Sequence, residues 1–378
     1  GSLGDRNDIV CTGVEHKHGL KASATCSMSL GSKGKCIGYL LGEERQGMKI
    51  MFNMINESRM AVAFQGLTCS SAAYLLAVNF ARERIQGRDL ENFADHGAPS
   101  VAIIKHPDVR RNLLWMKSYV EAMRSFFYYM TRCGSQALIT DSAEEQERFE
   151  DLFSMLTPIV KDYMAVKGHE VCVQAIQVFG GAGYTRDYLV EQYARDCKIT
   201  SIYEGTRGIQ AMDLLARKIG MKKGLVFMNF LGEIQKTAAL AKEFEDLKTL
   251  ADTVENTANR FGEIAMHIGK MAMSQDFKVA FAFAKPFLDV MGDVCMAWML
   301  LWRATVAVPP LEKLLAGLEG DARRKKIDTH KNATFYHGQV QTARYFINSL
   351  LPVTLGKMDA IMAAESAVVD MPEAAFGG

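Results

Sequence analysis

The stretch Gln177–Gln210, QVFGGAGYTRDYLVEQYARDCKITSIYEGTRGIQ, holds the residue types best suited to chemistry. Near its end Glu204 follows Ile202 and Tyr203 and precedes Gly205. A carboxylate in apolar, aromatic surroundings is poorly solvated. Poor solvation raises its pKa and makes it a better proton acceptor near neutral pH. Gly205 lets a ligand approach the backbone closely. Upstream, Gly180, Gly181 and Gly183 form a turn after an apolar run, and Asp187 to Asp196 is a short charged amphipathic segment. Taken alone, Glu204 is better read as a helix cap or start, with Tyr203 in the core, because most glutamates are surface or cap residues.

The elements that position these residues read as helices. The chain has 378 residues, enough for two or three domains with a sizeable core. It has 8 prolines, and none falls between Pro158 and Pro286, which favours a mainly α protein. A helix is expected from about Gln46 to Arg84, a second from Pro107 to about Leu138, and a third from the Thr140–Glu145 cap signal to about Val178. Pro158 should kink or break the third. Short helices follow at Asp187–Cys197 and Ser201–Ile219, and the long ones together make an antiparallel bundle. Gly220–Gly224 reads as a junction. Beyond it, helices are expected near 225–241, 243–274, 277–305, 309–318 and 331–368. Val308–Pro310 and the basic run Arg323–Lys326 break that pattern, the latter as a solvated loop, and the tail from Met371 is unstructured. Before the first helix, Asp8–Val14, Ser23–Leu30 and Lys35–Leu41 read as short strands, too few for a stable sheet alone. Gly87 and Gly97 bracket a polar loop.

Composition excludes several classes. A net charge of +1 gives no field for nucleic acid or an acidic membrane. The 8 cysteines lack paired spacing and read as free thiols in a reducing, cytoplasmic setting. No apolar run free of charges reaches membrane-spanning length, and no signal peptide is visible. His16 and His18 lack a third and fourth partner, so no metal site is expected. The 22 methionines point to adaptable helical cores.

QVFGGAGY, then RD-x-K-I, then IYEGT, in this order and spacing, resembles the C-terminal signature of the acyl-CoA dehydrogenases. The resemblance extends upstream. His18–Ser23 and Leu41–Gly47 look like the last strands of the family's middle β domain. It implies that the chain lacks the family's N-terminal helical domain and most of that β domain. Residues 1–45 would be the β remnant, 46–222 the family's C-terminal four-helix bundle, and 223–378 an additional helical domain. Such an extension, with His106–Arg111, is similar to the subfamily that includes 3-methylmercaptopropionyl-CoA dehydrogenase.

What the resemblance implies is FAD-dependent α,β-dehydrogenation of an acyl-CoA thioester to the 2-enoyl-CoA. Glu204 matches the base that takes the α-proton, and flavin N5 accepts the β-hydride. The Glu204 N–H would stabilise the enolate oxygen. Arg59 matches an arginine that orients the base. Asn56 sits where the family meets the pantetheine arm. Tyr203, Gly205, Met48 and Phe52 would line the substrate, with Met51 a further candidate. Arg84 and Gln86 match residues that meet the FAD pyrophosphate across a subunit interface. Gln177, Gly180 and Gly181 match contacts to the adenylate end of the neighbouring subunit's FAD, and Thr206 matches another flavin contact. Gly87 stands where relatives follow with an aromatic residue, and Gly208 where they carry Asn or Gln. An electron-transferring flavoprotein is the implied acceptor, and a homodimer or homotetramer the implied assembly. Two rivals share the fold. An acyl-CoA oxidase would reoxidise its flavin with O₂. A non-catalytic flavin-fold binding protein would show a basic surface and a lost base, against which the neutral balance and Glu204 argue.

Overall fold

The computed structural model describes residues 4–92 and 94–377, apart from the side chains of Phe52 and Asn53. Three long helices dominate the first half. Helix α1 (Gly47–Glu83) ends where Arg84 turns extended, and α2 (Pro107–Ile139) starts with its proline in the first turn, where a missing N–H costs nothing. Helix α3 (Ala143–Phe179) is capped by Ser142, whose hydroxyl accepts from the Glu145 N–H at 3.3 Å, with Glu144 and Glu145 favouring the positive end. It runs unbroken through Pro158, where a kink or break was expected.

Helices α1 and α3 run parallel and very close. Phe80 stacks on Phe179 at 4.1 Å, and farther back Gly66 faces Gly168. Short pieces complete the bundle: α4 (Val190–Lys198), then α5 (Arg207–Asp213), continued by one wide turn to Lys218. The expected helix at Ser201–Ile219 is therefore wrong at its start. Residues 202–206 are non-helical, because Glu204 and Gly205 take positive φ.

Two antiparallel hairpins are present. Strands β1 (Ile9–Val14) and β2 (Cys26–Leu30) pair with each other. The expected third strand at Lys35–Leu41 is not formed: Gly38 interrupts it, most of its residues are exposed, and its Ile37 backbone groups bond the Asn7 side chain instead of a strand. This segment is tied to the helices at Gly19 and Leu20: the Leu20 N–H donates to Asp196 Oδ1 at 2.5 Å. A Cβ on Gly19 would lie 2.4 Å from the Arg195 carbonyl oxygen, so only glycine fits that approach. The polar loop expected between Gly87 and Gly97 is flanked by β3 (Ile85–Arg88) and β4 (Ser100–Ala102), a pairing too short to show in sequence.

After a turn in which Lys222, Lys223 and Gly224 are all left-handed come α6 (Leu225–Ala241), α7 (Lys248–Ala272), α8 (Phe277–Ala282) and α9 (Ala284–Leu315). Helix α9 continues through Pro309 and Pro310, against expectation. Packing accounts for the continuity: Val308 and Leu311, on either side of the pair in sequence, are buried. The basic run Arg323–Lys326 lies within α10 (Gly320–Thr329), not in a loop; no α10 residue is buried, so its lysines and arginines stay solvated as helix surface. Helices α11 (Lys331–Tyr345), α12 (Leu351–Ala363) and α13 (Ala367–Asp370) follow, and a short exposed turn occupies Glu373–Phe376, where an unstructured tail was expected.

Helix α9 is the spine of the molecule. It packs on α2, α3 and α5 as well as on α6, α7, α11 and α12, so a single apolar core runs through both helical groups. Helices α1 and α9 are long and apolar enough to cross a membrane by length and composition. In α9, 72% of the apolar window is already buried by protein, against 39% in α1. Core packing accounts for the first.

Candidate functional site

The turn after α4 is built bond by bond. The Ile202 and Tyr203 N–H groups both donate to the Ile199 carbonyl, at 2.8 and 3.0 Å. Glu204 then takes φ +58° and Gly205 φ +100°. A non-glycine residue there costs about 1–2 kcal/mol, and such cost is retained where surroundings over-determine the backbone. Three contacts do so. Tyr203 donates its hydroxyl proton to Gln65 on α1. Lys161 on α3 donates to the Gly205 carbonyl. Thr206 caps α5, its hydroxyl accepting from the Ile209 N–H at 3.5 Å. Among the described residues nothing accepts from the Glu204 N–H.

Around this turn lies a buried charge cluster. Arg59 is 9% exposed, and its guanidinium reaches Asp213 at 4.0 Å. The same group passes 3.9 Å from where a Gly205 Cβ would stand, so Arg59 and the turn are neighbours. Lys161 and Asp162 are fully buried. Burial lowers the Lys161 pKa to about 8; Asp162 opposes that shift, Arg59 reinforces it, and Glu204 opposes it. Gln210 is fully buried, and its amide has no partner among the described residues. Glu204 itself is half-buried, with Ile202 exposed beside it, so the expected apolar enclosure is not supplied within this chain.

A second neighbourhood is a cleft of about 690 Å³ between the ends of α1 and α3. It gathers Arg84, Gln86, Gln177, Gly180 and Gly181, which lie far apart in the chain. Gly180 ends α3 with φ +63°, and neither it nor Gly181 would meet an atom if given a Cβ, so the backbone there is open to the cleft. His106 adds a wall: its Nε2 is 2.6 Å from the Gln86 carbonyl. The stacked Phe80 and Phe179, with Tyr188 at 5.2 Å from Phe179, form the floor.

The sequence-derived site residues thus fall into two groups. Arg59, Tyr203, Glu204, Gly205 and Thr206 share the turn. Arg84, Gln86, Gln177, Gly180 and Gly181 share the cleft, from which Thr206 is absent. Asn56 lines a separate groove with Met60 and Phe127, and Met48 is exposed near the start of α1; nothing in the structure brings either to Glu204. The Phe52 side chain lies outside the described residues. Lys161, Asp162, Gln210 and His106 were not singled out from sequence. For the first two a signal existed: adjacent opposite charges inside Ile159-Val-Lys-Asp-Tyr-Met164, an otherwise apolar helix stretch.

Residues 45–219 match the family model of the acyl-CoA dehydrogenase C-terminal domain, and residues 230–372 match the acetyl-CoA dehydrogenase C-terminal-like model. The whole chain aligns with the broad-specificity linear acyl-CoA dehydrogenase FadE5 of Mycobacterium tuberculosis, at 34% identity over 390 residues. The chain belongs to the acyl-CoA dehydrogenase family. A butyryl-CoA dehydrogenase of Syntrophomonas wolfei is 33% identical over the full chain, and the 3-methylmercaptopropionyl-CoA dehydrogenase of Ruegeria pomeroyi 32% identical over 93% of it. The chain spans 61%, 60% and 56% of these three relatives, so it corresponds to part of a family member. Its fold is shared by Caenorhabditis elegans ACDH-11 in complex with C11-CoA, with a TM-score of 0.73 at 17% identity over 98% of this chain and 56% of that one. The Bacillus anthracis acyl-CoA dehydrogenase complexed with FAD gives 0.64 at 18% identity, over 94% of this chain and 60% of that one. The mainly α acyl-CoA dehydrogenase fold, with the extra helical unit that the sequence resemblance implied, is the fold observed.

Proposed function

We propose that the protein containing this chain removes the α-proton and β-hydrogen of an acyl-CoA thioester, giving the 2-enoyl-CoA, with Glu204 as the proton acceptor. The observation that carries this reading is the Glu204–Gly205 turn. It is strained and pinned by Lys161 and Tyr203, and has Arg59 beside it. A base must be held to a fraction of an ångström, and a turn fixed from two helices does that. The carboxylate takes the α-proton. The free Glu204 N–H donates to the thioester oxygen as negative charge builds on it. Arg59 faces the same turn and places a guanidinium there to orient the base.

The cleft residues fit FAD. Arg84 supplies a cation for a pyrophosphate, Gln86 and Gln177 supply side-chain donors, and the open backbone at Gly180 and Gly181 permits close approach. When bound, FAD supplies the acceptor for the β-hydrogen and its electron pair. By the family pattern the cleft serves a neighbouring subunit's FAD, so the working form is a homodimer or a homotetramer. An electron-transferring flavoprotein would be the electron acceptor. Arg84→Gln is expected to weaken FAD retention in the full-length protein by about 10-fold or more, the worth of one charged hydrogen bond. Flavin content after dialysis measures it; unchanged content removes Arg84 from the site.

The test of the proposal is anaerobic titration of the full-length protein with acyl-CoAs of graded chain length, including a methylthio-acyl-CoA, followed by flavin bleaching. Bleaching by one length class supports the reading and identifies the substrate. No bleaching by any thioester, with flavin bound, overturns it. Peroxide released stoichiometrically in air assigns the oxidase variant of the chemistry.

A further inference from the structure

Three consecutive buried polar residues on α3 face three different places. Lys161 holds the Gly205 carbonyl. Tyr163 donates to Asp293 on α9 at 2.5 Å, and Asp293 also accepts from Thr354 at 2.9 Å and from Lys357 at 2.7 Å, both on α12. Between them sits Asp162, fully buried, whose oxygens accept no well-aligned hydrogen bond. Its compensation is two cations. Lys285, in the first turn of α9, lies 2.9 Å from Oδ2, and Arg207, the first residue of α5, lies 3.7 Å from Oδ1. Arg207 follows Glu204 by three residues.

A buried carboxylate without hydrogen bonds depends on its charge partners, and losing one leaves the other to carry the whole compensation. Asp162 therefore ties two elements that share no sequence proximity. One is the start of α5, which ends the Glu204 turn. The other is the N-terminal end of the spine of the additional domain. Gly292 enforces the neighbouring contact, since a Cβ there would lie 2.0 Å from the Tyr163 ring. Helices α3 and α9 meet closely at that level.

We propose that the additional helical unit positions the Glu204 turn, with Lys285 of α9 acting through Asp162 on Arg207 and the start of α5. Lys285 and Asp162 are positioning residues and touch no reacting atom. The functional half of this proposal rests on the reading of Glu204 as the base; the structural half does not.

The experiment is amide hydrogen exchange of the full-length protein by mass spectrometry, following the peptide that spans residues 202–210, on wild type, Lys285→Gln, Lys285→Arg, Asp162→Asn and the Asp162→Asn/Lys285→Gln double variant. Lys285→Gln is expected to speed exchange in that peptide roughly tenfold, with α1 and α2 still protected. Lys285→Arg restores the wild-type rate. In the Asp162→Asn background, Lys285→Gln adds no further change, because the pathway is already cut. kcat with an acyl-CoA falls in parallel while KM stays within about twofold. The proposal is overturned if only the first turn of α9 loosens in Lys285→Gln, or if the two changes add independently. If Lys285→Gln does not fold, the Arg and Asn variants decide: unchanged exchange in Asp162→Asn overturns it, and faster exchange there with wild-type behaviour in Lys285→Arg supports it. The exchange data need no substrate, so a loosened turn in a protein that dehydrogenates no thioester removes the proposed function and leaves the tether standing.

Discussion

Glu204→Gln in the full-length protein is expected to leave FAD and acyl-CoA bound and to slow anaerobic flavin reduction by about 10²–10⁴-fold, the usual worth of a positioned general base. The amide fills the same volume but takes up no proton at neutral pH. The surrounding contacts do not depend on the carboxylate. Lys161 binds the Gly205 carbonyl, Tyr203 binds Gln65, and Thr206 caps α5, all of which the substitution keeps. Loss of reduction with retained binding therefore isolates the proton transfer. Glu204→Gly gives the converse signature. At φ +58° glycine relieves about 1–2 kcal/mol of backbone cost, against its own larger unfolded-state entropy. The expected protein is at least as stable as wild type and as slow as the Gln variant. Stopped-flow flavin absorbance and thermal unfolding read the two effects. A Gln variant that reduces at the wild-type rate places the base elsewhere.

Why was so much of this legible from sequence? The long helices α1, α2 and α3 announce themselves through apolar spacing, Pro107 and the Ser142 cap, signals that local chemistry alone sets. The residues that form the turn and the cleft stood out because QVFGGAGY and IYEGT are dense patterns in a family whose models match here. What failed was tertiary in origin. Pro309 and Pro310 break helices in water, yet here α9 continues through them with Val308 and Leu311 buried in the core. The basic run Arg323–Lys326 carries no apolar stripe, yet it is helical between α9 and α11. Lys35–Leu41 has strand-like residues and no partner strand among the described residues.

The site shows the same division. Its family residues could be placed on the chain one by one, but the sequence did not show that they split between a turn and a cleft. Nor did it show that the turn is pinned by Lys161 or backed by Asp162. A lysine and an aspartate in mid-helix are usually solvent-facing, and the apolar stretch around these two was the one sign that they are buried. The expectation of a desolvated Glu204 rested on Ile202 and Tyr203. The structure turns Ile202 outward and gives the Tyr203 hydroxyl to Gln65, so the carboxylate stays half-exposed.

Gly168→Val is expected to cost about 3 kcal/mol or more and to disturb the site from a distance. A Cβ on Gly168 would lie 2.5 Å from the Gly66 carbonyl oxygen and 2.9 Å from its carbonyl carbon. Both are backbone atoms of α1, which no rotamer change can move. Helices α1 and α3 must separate, and every apolar contact between them weakens. Seven residues earlier, two turns from each glycine, Arg59 on α1 and Lys161 on α3 both reach the Gly205 turn. The separation that accommodates valine therefore pulls the guanidinium away from the lysine that holds the Glu204 turn. Gly232 on α6 is the control, since a Cβ there meets nothing within 4 Å. Gly232→Ala is expected to raise stability by about 0.5–1 kcal/mol through helix propensity alone. Thermal or urea unfolding of the two variants settles the comparison. If Gly168→Val unfolds with the wild-type midpoint, the two helices are not in glycine-limited contact, and the spacing of Arg59 and Lys161 is set by something other than that crossing.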